Sequence, residues 1–265
     1  MKKIWALLLI VPMALVSCSK DDDDNQDTKD PLILELTINE EDYDHDVTVA
    51  AGSDMHVEGS FSDNERLGEY KLDIHDNFDG HDHGKTMADW ATVVIIPLSG
   101  KKDSIHEDVA VPSDATAGPY HAVSRLIDAE GNESDFIEHR LLITNGSEPM
   151  IDMTSPDPDD DDLEWEPGMT YDLMGTISDA EGIDEVLIKM EEEQGHDHNH
   201  GKVADTPLFE ADFDLGGVMS WDFQADGMVS ISIPSDAEHA DYVLSVMAKD
   251  INGNWAVVEA EIHIH

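Results

Sequence analysis

One stretch of six residues decides the fold: Tyr70-Lys71-Leu72-Asp73-Ile74-His75. Every second residue in it is apolar, and the residues between them are charged or polar. Side chains on a β-strand alternate between its two faces, so this pattern is typical of a strand with one face in a core and the other towards solvent. We therefore expect Tyr70, Leu72 and Ile74 to point inwards.

Further stretches of the first half of the chain also have the pattern of strands. They are Leu32–Ile38, Met55–Phe61, Ala91–Leu98, Tyr120–Asp128 and Phe136–Thr144. Ala91–Leu98 is a continuous apolar run rich in β-branched residues, which predicts a strand covered more fully than the others. Turns rich in Gly, Pro, Asn and Asp separate the stretches, and no segment has the caps and periodicity of a helix. The pattern predicts an all-β fold built from β-sandwiches.

The chain contains an internal repeat, in which five segments recur in the same order with small insertions. The pairs are Gly59–Asp63 with Gly175–Asp179, Tyr70–Ile74 with Val186–Met190, Gly80–Lys85 with Gly195–Lys202, Val111–Asp114 with Ile233–Asp236, and Asp128–Asn132 with Asp250–Asn254. A tandem duplication of this kind predicts two domains, residues 31–147 and 148–265, with a boundary near Asn145–Pro149.

Two tyrosines refine the fold prediction. Tyr120 and Tyr242 resemble the tyrosine that opens strand F of immunoglobulin-like domains. Each opens a stretch that ends in an Asp-x-x-Gly-Asn turn, and in the second copy Tyr242, Leu244, Val246 and Ala248 are predicted to alternate inwards. The expected architecture is two immunoglobulin-like sandwiches in tandem.

The N-terminus has the form of an export signal. Residues 1–17 carry two lysines and then an apolar stretch too short to span a bilayer, and they precede Cys18, the one cysteine. Leu15-Val16-Ser17-Cys18 resembles a bacterial lipobox, which implies that Cys18 becomes the lipidated first residue. Residues 18–30 form an acidic tether whose start, Ser19–Asp24, resembles the signal for the outer face of the outer membrane. We expect a lipid-anchored protein facing the cell exterior, with the periplasmic face as the alternative.

Together, the lipobox, the tether, the Gly-x-Tyr strand and the Asp-x-x-Gly-Asn turn resemble tandem immunoglobulin-like surface lipoproteins of Bacteroidetes, catalogued only as a domain of unknown function. The resemblance covers nearly the whole mature chain, and it implies the fold described above. Its motifs belong to the scaffold, so it supplies no catalytic residues, and function has to be argued from sites.

The charge of the chain excludes one class of partner. Asp and Glu number 61 against 14 Lys and Arg, for a formal net charge of −47. Nothing in such a chain neutralises phosphates, so nucleic acid is excluded as a partner, and anionic lipid surfaces are disfavoured. A strongly negative field concentrates cations instead.

Histidine runs at matching positions of both repeats are the candidate functional feature. They follow the strands that end at Ile74 and Met190, and glycines flank them. Imidazole is a common ligand of zinc, copper and nickel, and histidines two apart lie on one side of an extended chain. Asp82, Asp197 and His75 are candidate completing ligands. The predicted metal ligands are therefore His81, His83, His196, His198, His200, Asp82, Asp197 and His75, with Zn²⁺ as the first choice of ion and Cu²⁺ or Ni²⁺ as alternatives. An unspecialised polar loop is the competing interpretation.

The remaining histidines carry weaker signals. His75 and His121 are predicted on the outer face of one sheet, where they extend the first site. His263 and His265 alternate with isoleucines and are expected to face solvent. The others, interpreted as ordinary surface or strand positions, are His45, His56, His106, His139 and His239.

Enzyme motifs do not occur: the sequence has no His-Glu-x-x-His, no Gly-x-Ser-x-Gly and no phosphate-binding glycine loop. We expect a protein that binds and does not catalyse, and metal capture or buffering is the leading function. The alternative is a structural or adhesive module that binds protein or glycan beside an outer-membrane transporter. In that case exposed aromatic side chains would form the binding surface. The candidates are Trp90, Trp165, Trp221 and Trp255, for which packing in the core is the competing interpretation.

Overall fold

The computed structural model describes residues 27–43, 45–78, 90–160, 162–193 and 207–265. These residues form sixteen strands and no helix, which confirms the all-β prediction. Among them there is accordingly no helix that is long and apolar enough to cross a membrane.

The first domain contains eight strands in two sheets. Strands β1, β3 and β6 form the smaller sheet, and the larger sheet has the order β2-β8-β7-β4-β5. The bounds are β1 Leu32–Ile38, β2 Val47–Ala50, β3 Asp54–Ser62, β4 Leu67–Asp76, β5 Thr92–Pro97, β6 Lys102–Ala110, β7 Gly118–Asp128 and β8 Ile137–Thr144.

The core of the first domain lies between these two sheets. Tyr70, Leu72 and Ile74 of β4 are buried, as their period-two pattern predicts, and they belong to one apolar cluster with Val57 and Phe61 of β3. Two sheets that share one apolar core make a β-sandwich, so the predicted immunoglobulin-like fold is confirmed.

The second domain also has eight strands, but they pair as a six-stranded and a two-stranded sheet. Its bounds are β9 Met150–Ser155, β10 Glu164–Trp165, β11 Thr170–Asp172, β12 Met174–Glu192, β13 Phe209–Asp222, β14 Ser230–Ser232, β15 Asp241–Asp250 and β16 Trp255–Ile264. The predicted inward residues of β15, namely Tyr242, Leu244, Val246 and Ala248, are all buried.

Strand β12 belongs to both layers of the second sandwich. Its start pairs with β9 and its end with β15, and the register shifts between Ser178 and Ile183. Gly182 lies at this shift with φ +117°, and a Cβ there would lie 2.7 Å from the carbonyl oxygen of Gly217 on β13. The close approach of two strands at a bend explains the glycine.

The apolar run Ala91–Leu98 differs from its prediction. It forms β5, an edge strand with alternating burial, and Val93 and Ile95 are about half exposed. The expectation of a more fully covered strand is therefore wrong. A short apolar run indicates a strand, but only the order of strands in the sheet decides whether both of its faces are covered.

The two domains contact each other directly. The backbone N–H of Trp255 donates to the carbonyl of Ala117 at 2.8 Å, and the Trp255 ring stacks on Phe78 with centroids 6.4 Å apart. Arg140 of the first domain donates to Glu259 of the second at 2.9 Å. These contacts join one end of the first sandwich to β16.

Candidate metal-binding site

The two predicted histidine runs occupy equivalent hairpins, one in each domain. One connection joins β4, which ends at Asp76, to β5, which begins at Thr92. The other joins β12, which ends at Glu192, to β13, which begins at Phe209. We call β7, which carries Tyr120, and β15, which carries Tyr242, the tyrosine strands. In each domain the hairpin begins at the strand that pairs with the tyrosine strand and leads to the next strand of the same sheet. Eight predicted site residues lie outside the described residues: Cys18, His81, Asp82, His83, His196, Asp197, His198 and His200.

The two connections leave the body of the molecule at separate places. Phe78, near the start of the first, contacts Trp255, and Trp255 pairs with Lys249 near the end of β15. The second begins after Glu192, which pairs with Tyr242 at the start of β15. Seven residues of strand, about 23 Å, separate Tyr242 from Lys249. The described ends of the two connections are therefore well separated.

His75 is the predicted ligand that the structure does describe. It lies opposite His121 of β7, and the two ring centroids are 5.7 Å apart, as expected for neighbours on one face of a sheet. His75 Nδ1 lies 3.4 Å from Asp73 Oδ1, and His121 Nδ1 lies 3.4 Å from Glu138 Oε1. His75 is buried, which the sequence did not indicate. Two imidazoles and two carboxylates therefore lie near the base of the first connection.

A second histidine cluster was missed from the sequence. His56 and Glu58 on β3 come together with His106 on β6, and their ligand atoms all lie within 4.8 Å of one another. Hydrogen bonds that the ring of His56 donates to the carboxylates of Asp108 and Glu58 raise the pKa of His56, and hydrogen bonds that Glu58 accepts from His56 and His106 lower the pKa of Glu58. The signal was present in His56-x-Glu58 and His106-x-Asp108, but the register of β3 with β6 was needed to join them.

Three aspartates form a separate acidic cluster at the end of the first domain: Asp27, Asp63 and Asp128. Amide groups satisfy much of it, because Asn64 donates to Asp27 at 2.8 Å and Asn132 donates to Asp128 at 2.6 Å. Asn132 also donates to the backbone carbonyl of Asp27 at 3.1 Å, which connects the segment before β1 to the turn after β7. The cluster therefore has a role in holding the turn.

The tryptophans proposed for an adhesive surface are all buried. Trp90, Trp165, Trp221 and Trp255 are 5–7 % exposed and pack in the cores or against the neighbouring domain. An aromatic binding surface needs exposed rings, so the expectation that these residues form one is wrong.

Comparisons with known proteins give weak structural likenesses and one family. A search of the curated proteins found no match. The chain is similar to fibronectin(III)-like modules of Clostridium thermocellum CbhA, with 12 % identity, 87 % of this chain and 94 % of that chain covered, and a TM-score of 0.26. It is also similar to the sialic acid binding region of a Streptococcus sanguinis adhesin, with 13 % identity, 90 % and 78 % coverage, and a TM-score of 0.27. Likenesses this low carry no argument about function.

The family match covers both repeats. Residues 16–144 and again residues 138–265 match one family description, and together they span nearly the whole chain. The two matched ranges follow the duplication that is visible in the strands, including the parallel pairing of β2 with β8 and of β10 with β16. The chain belongs to the family described as "Domain of unknown function (DUF4625)", of which it contains two copies in tandem.

Proposed function

We propose that this protein is a lipid-anchored surface protein that binds a divalent transition metal, with zinc as the first choice, through its two histidine-rich connections. The observation that carries the proposal is the recurrence of a histidine run in the matching hairpin of both domains. A polar loop without a role has no reason to keep imidazoles at the same place in two copies that differ elsewhere. The function is capture or buffering of the metal at the cell surface.

The surroundings of the connections support cation binding. His75, His121 and two carboxylates lie beside the start of the first connection. Imidazole nitrogen suits zinc, copper and nickel, and carboxylate oxygen completes such sites. The net charge of −47 raises the local concentration of cations around the whole molecule.

The proposed location follows from the N-terminus. Lipidation of Cys18 would anchor the chain in the outer membrane, and the acidic tether would direct it to the outer face. At that location a metal-binding protein can pass its cargo to an outer-membrane transporter, which is the partner we propose.

The test is calorimetric titration of the full chain with zinc at pH 7.5. Replacing the five histidines of the connections with alanine is expected to remove two zinc sites per chain, one from each domain. Binding by the unmodified chain is expected to weaken as the pH falls through about 6.5, because protons compete for the same ring nitrogens.

The control replaces four exposed histidines outside the connections with alanine: His45, His239, His263 and His265. This variant is expected to bind zinc like the unmodified chain. The proposal fails if the five-histidine variant retains all zinc sites with unchanged affinity.

A further inference from the structure

Four polar side chains lie together on the outer face of the smaller sheet of the first domain. Glu58 of β3 pairs directly with His106 of β6, and His56 pairs directly with Asp108 two positions along. The alternate residues Met55 and Val57 are buried, so the four polar residues share the opposite, exposed face.

Glu58 lies at a distance suited to a shared metal ion from each of the two imidazoles. Glu58 Oε1 lies 3.0 Å from His56 Nε2 and 3.1 Å from His106 Nδ1. In a tetrahedral zinc site with bonds of about 2.0–2.1 Å, neighbouring ligand atoms are about 3.3 Å apart. Both distances lie within about 0.3 Å of that value, and ligand atoms of all three residues lie within 4.8 Å of one another.

Asp108 orients the ring of His56. Its Oδ1 lies 2.7 Å from His56 Nδ1, on the opposite side of the ring from Glu58. A hydrogen on Nδ1 that bonds to this carboxylate leaves the Nε2 lone pair directed at the cluster. Metal-binding histidines almost always donate their other ring N–H in this way, to a carboxylate, a backbone carbonyl or water.

From this geometry we propose a zinc site in the first domain, formed by His56 Nε2, His106 Nδ1 and Glu58 Oε1, with the fourth position taken by water. Two imidazoles beside a carboxylate select a transition metal over calcium, which prefers oxygen ligands alone. The site stands on residues outside the histidine-rich connections and does not depend on them.

The second copy lacks this site. By the alignment of Gly59 with Gly175, the positions of His56 and Glu58 are taken by Asp172 and Met174. Asp172 pairs with Ser230 of β14, whose hydroxyl donates to its carboxylate at 2.6 Å. The same cross-strand positions therefore form a simple hydrogen bond there, and the inference predicts one such zinc ion per chain.

The test uses the full chain in which the five histidines of the connections are already alanine. Titration with zinc at pH 7.5 is expected to show one remaining ion per chain. Adding His56→Ala and His106→Ala is expected to abolish it, and adding Asp108→Asn alone is expected to weaken it by about 10–100-fold, because the ring loses its orienting carboxylate.

A matched control exists on β16. His263 and His265 are also exposed, their rings are 5.8 Å apart, and His263 contacts the carboxylate of Asp241 at 2.6 Å. Within the described part of the chain they belong to no group of three converging ligand atoms, so His263→Ala with His265→Ala is expected to leave zinc binding unchanged. In NMR spectra, zinc is expected to shift the ring signals of His56 and His106 and to leave those of the control pair in place.

The outcomes separate this site from the proposed function. The inference is overturned if the chain without the connection histidines binds no zinc, if His56→Ala with His106→Ala keeps the ion, or if the β16 control loses it equally. His56→Ala with His106→Ala in the otherwise unmodified chain tests whether the histidine-rich connections bind zinc without this site. If that variant binds no zinc, while the variant without the five connection histidines binds one ion, the proposed function fails and this site stands.

Discussion

The ring of His139 lies on the core-facing side of β8, between the buried positions of its strand, and is fully buried. His139 is thus a strand position, as one of its two interpretations had it, but the sequence did not indicate that its ring is buried. Burial lowers the pKa of His139 from 6.5 to about 4, and the charge of Asp42 offsets this only in part. The second copy has Ala260 at the matching position, because Tyr120 pairs with Leu141 as Tyr242 pairs with Ile262.

His139 is expected to make the first domain sensitive to acid. The unfolded chain takes up a proton on this ring near pH 6.5, whereas the folded chain resists it until about pH 4. Stability is thus retained above pH 6.5 and lost as the pH falls from 6.5 towards 4. Between pH 7.5 and pH 5, the unmodified chain is expected to lose about 2 kcal/mol more than His139→Ala.

Urea unfolding of both proteins at the two pH values measures this difference. The control is His45→Ala, since His45 is exposed. An equal loss of stability in the unmodified chain and in His139→Ala would contradict the prediction.

At the scale of the element, the tyrosine strand shows how one motif serves both domains. The hydroxyl of Tyr120 donates to the carbonyl of Thr116 at 3.0 Å, and that of Tyr242 donates to the carbonyl of Glu238 at 3.4 Å. Both bonds reach four residues back and fix the turn before the strand, as in other immunoglobulin-like domains. The first bond is buried and the second is partly accessible.

We therefore expect the same substitution to lower the unfolding free energy by different amounts in the two copies. Tyr120→Phe keeps the ring between Phe78 and Trp90 but removes the hydroxyl from a buried carbonyl, which is expected to cost about 1–2 kcal/mol of unfolding free energy. Tyr242→Phe is expected to cost less, since water can reach the carbonyl that it leaves. Urea unfolding of each variant gives both values, and equal costs would show that burial does not control the bond.

At the scale of the whole molecule, Asn254 connects the two sandwiches. Its side-chain oxygen accepts hydrogen bonds from the backbone N–H of Ala117 and from the side chain of Asn145, while its amide donates to Asp250. In the first copy the matching Asn132 donates to Asp128 in the same way. The same turn thus joins the two domains in the second copy, whereas in the first copy Asn132 also donates to the carbonyl of Asp27, in the segment before β1, at 3.1 Å.

This connection predicts coupled unfolding of the two domains. Calorimetry of the unmodified chain is expected to show one unfolding transition. Asn254→Ala is expected to divide this transition into two. The substitution leaves buried polar groups at the domain contact without a partner, which destabilises the contact by about 1–3 kcal/mol. Asn132→Ala is the matched control, expected to lower stability without dividing the transition. Two transitions in the unmodified chain, or division by both substitutions, would contradict this coupling.

Local pattern alone was enough for much of the fold. The alternation in β4 and β15, the duplicated segments and the two tyrosines predicted the strands, the all-β class and the tandem sandwiches, because the period of side chains on a strand is local. The histidine runs were also visible as a repeat, and the connections that hold them could be assigned to the same hairpin in both copies.

Contacts between distant segments needed the tertiary structure. The half-exposed β5, the buried His139 and the buried tryptophans depend on which strand lies next to which, and no local pattern records that order. The same holds for the contact of His56 and Glu58 with His106, which lies 48 residues beyond Glu58 and meets them only through the register of two paired strands. Local alternation decides which face a side chain takes, whereas pairing decides which side chains share that face.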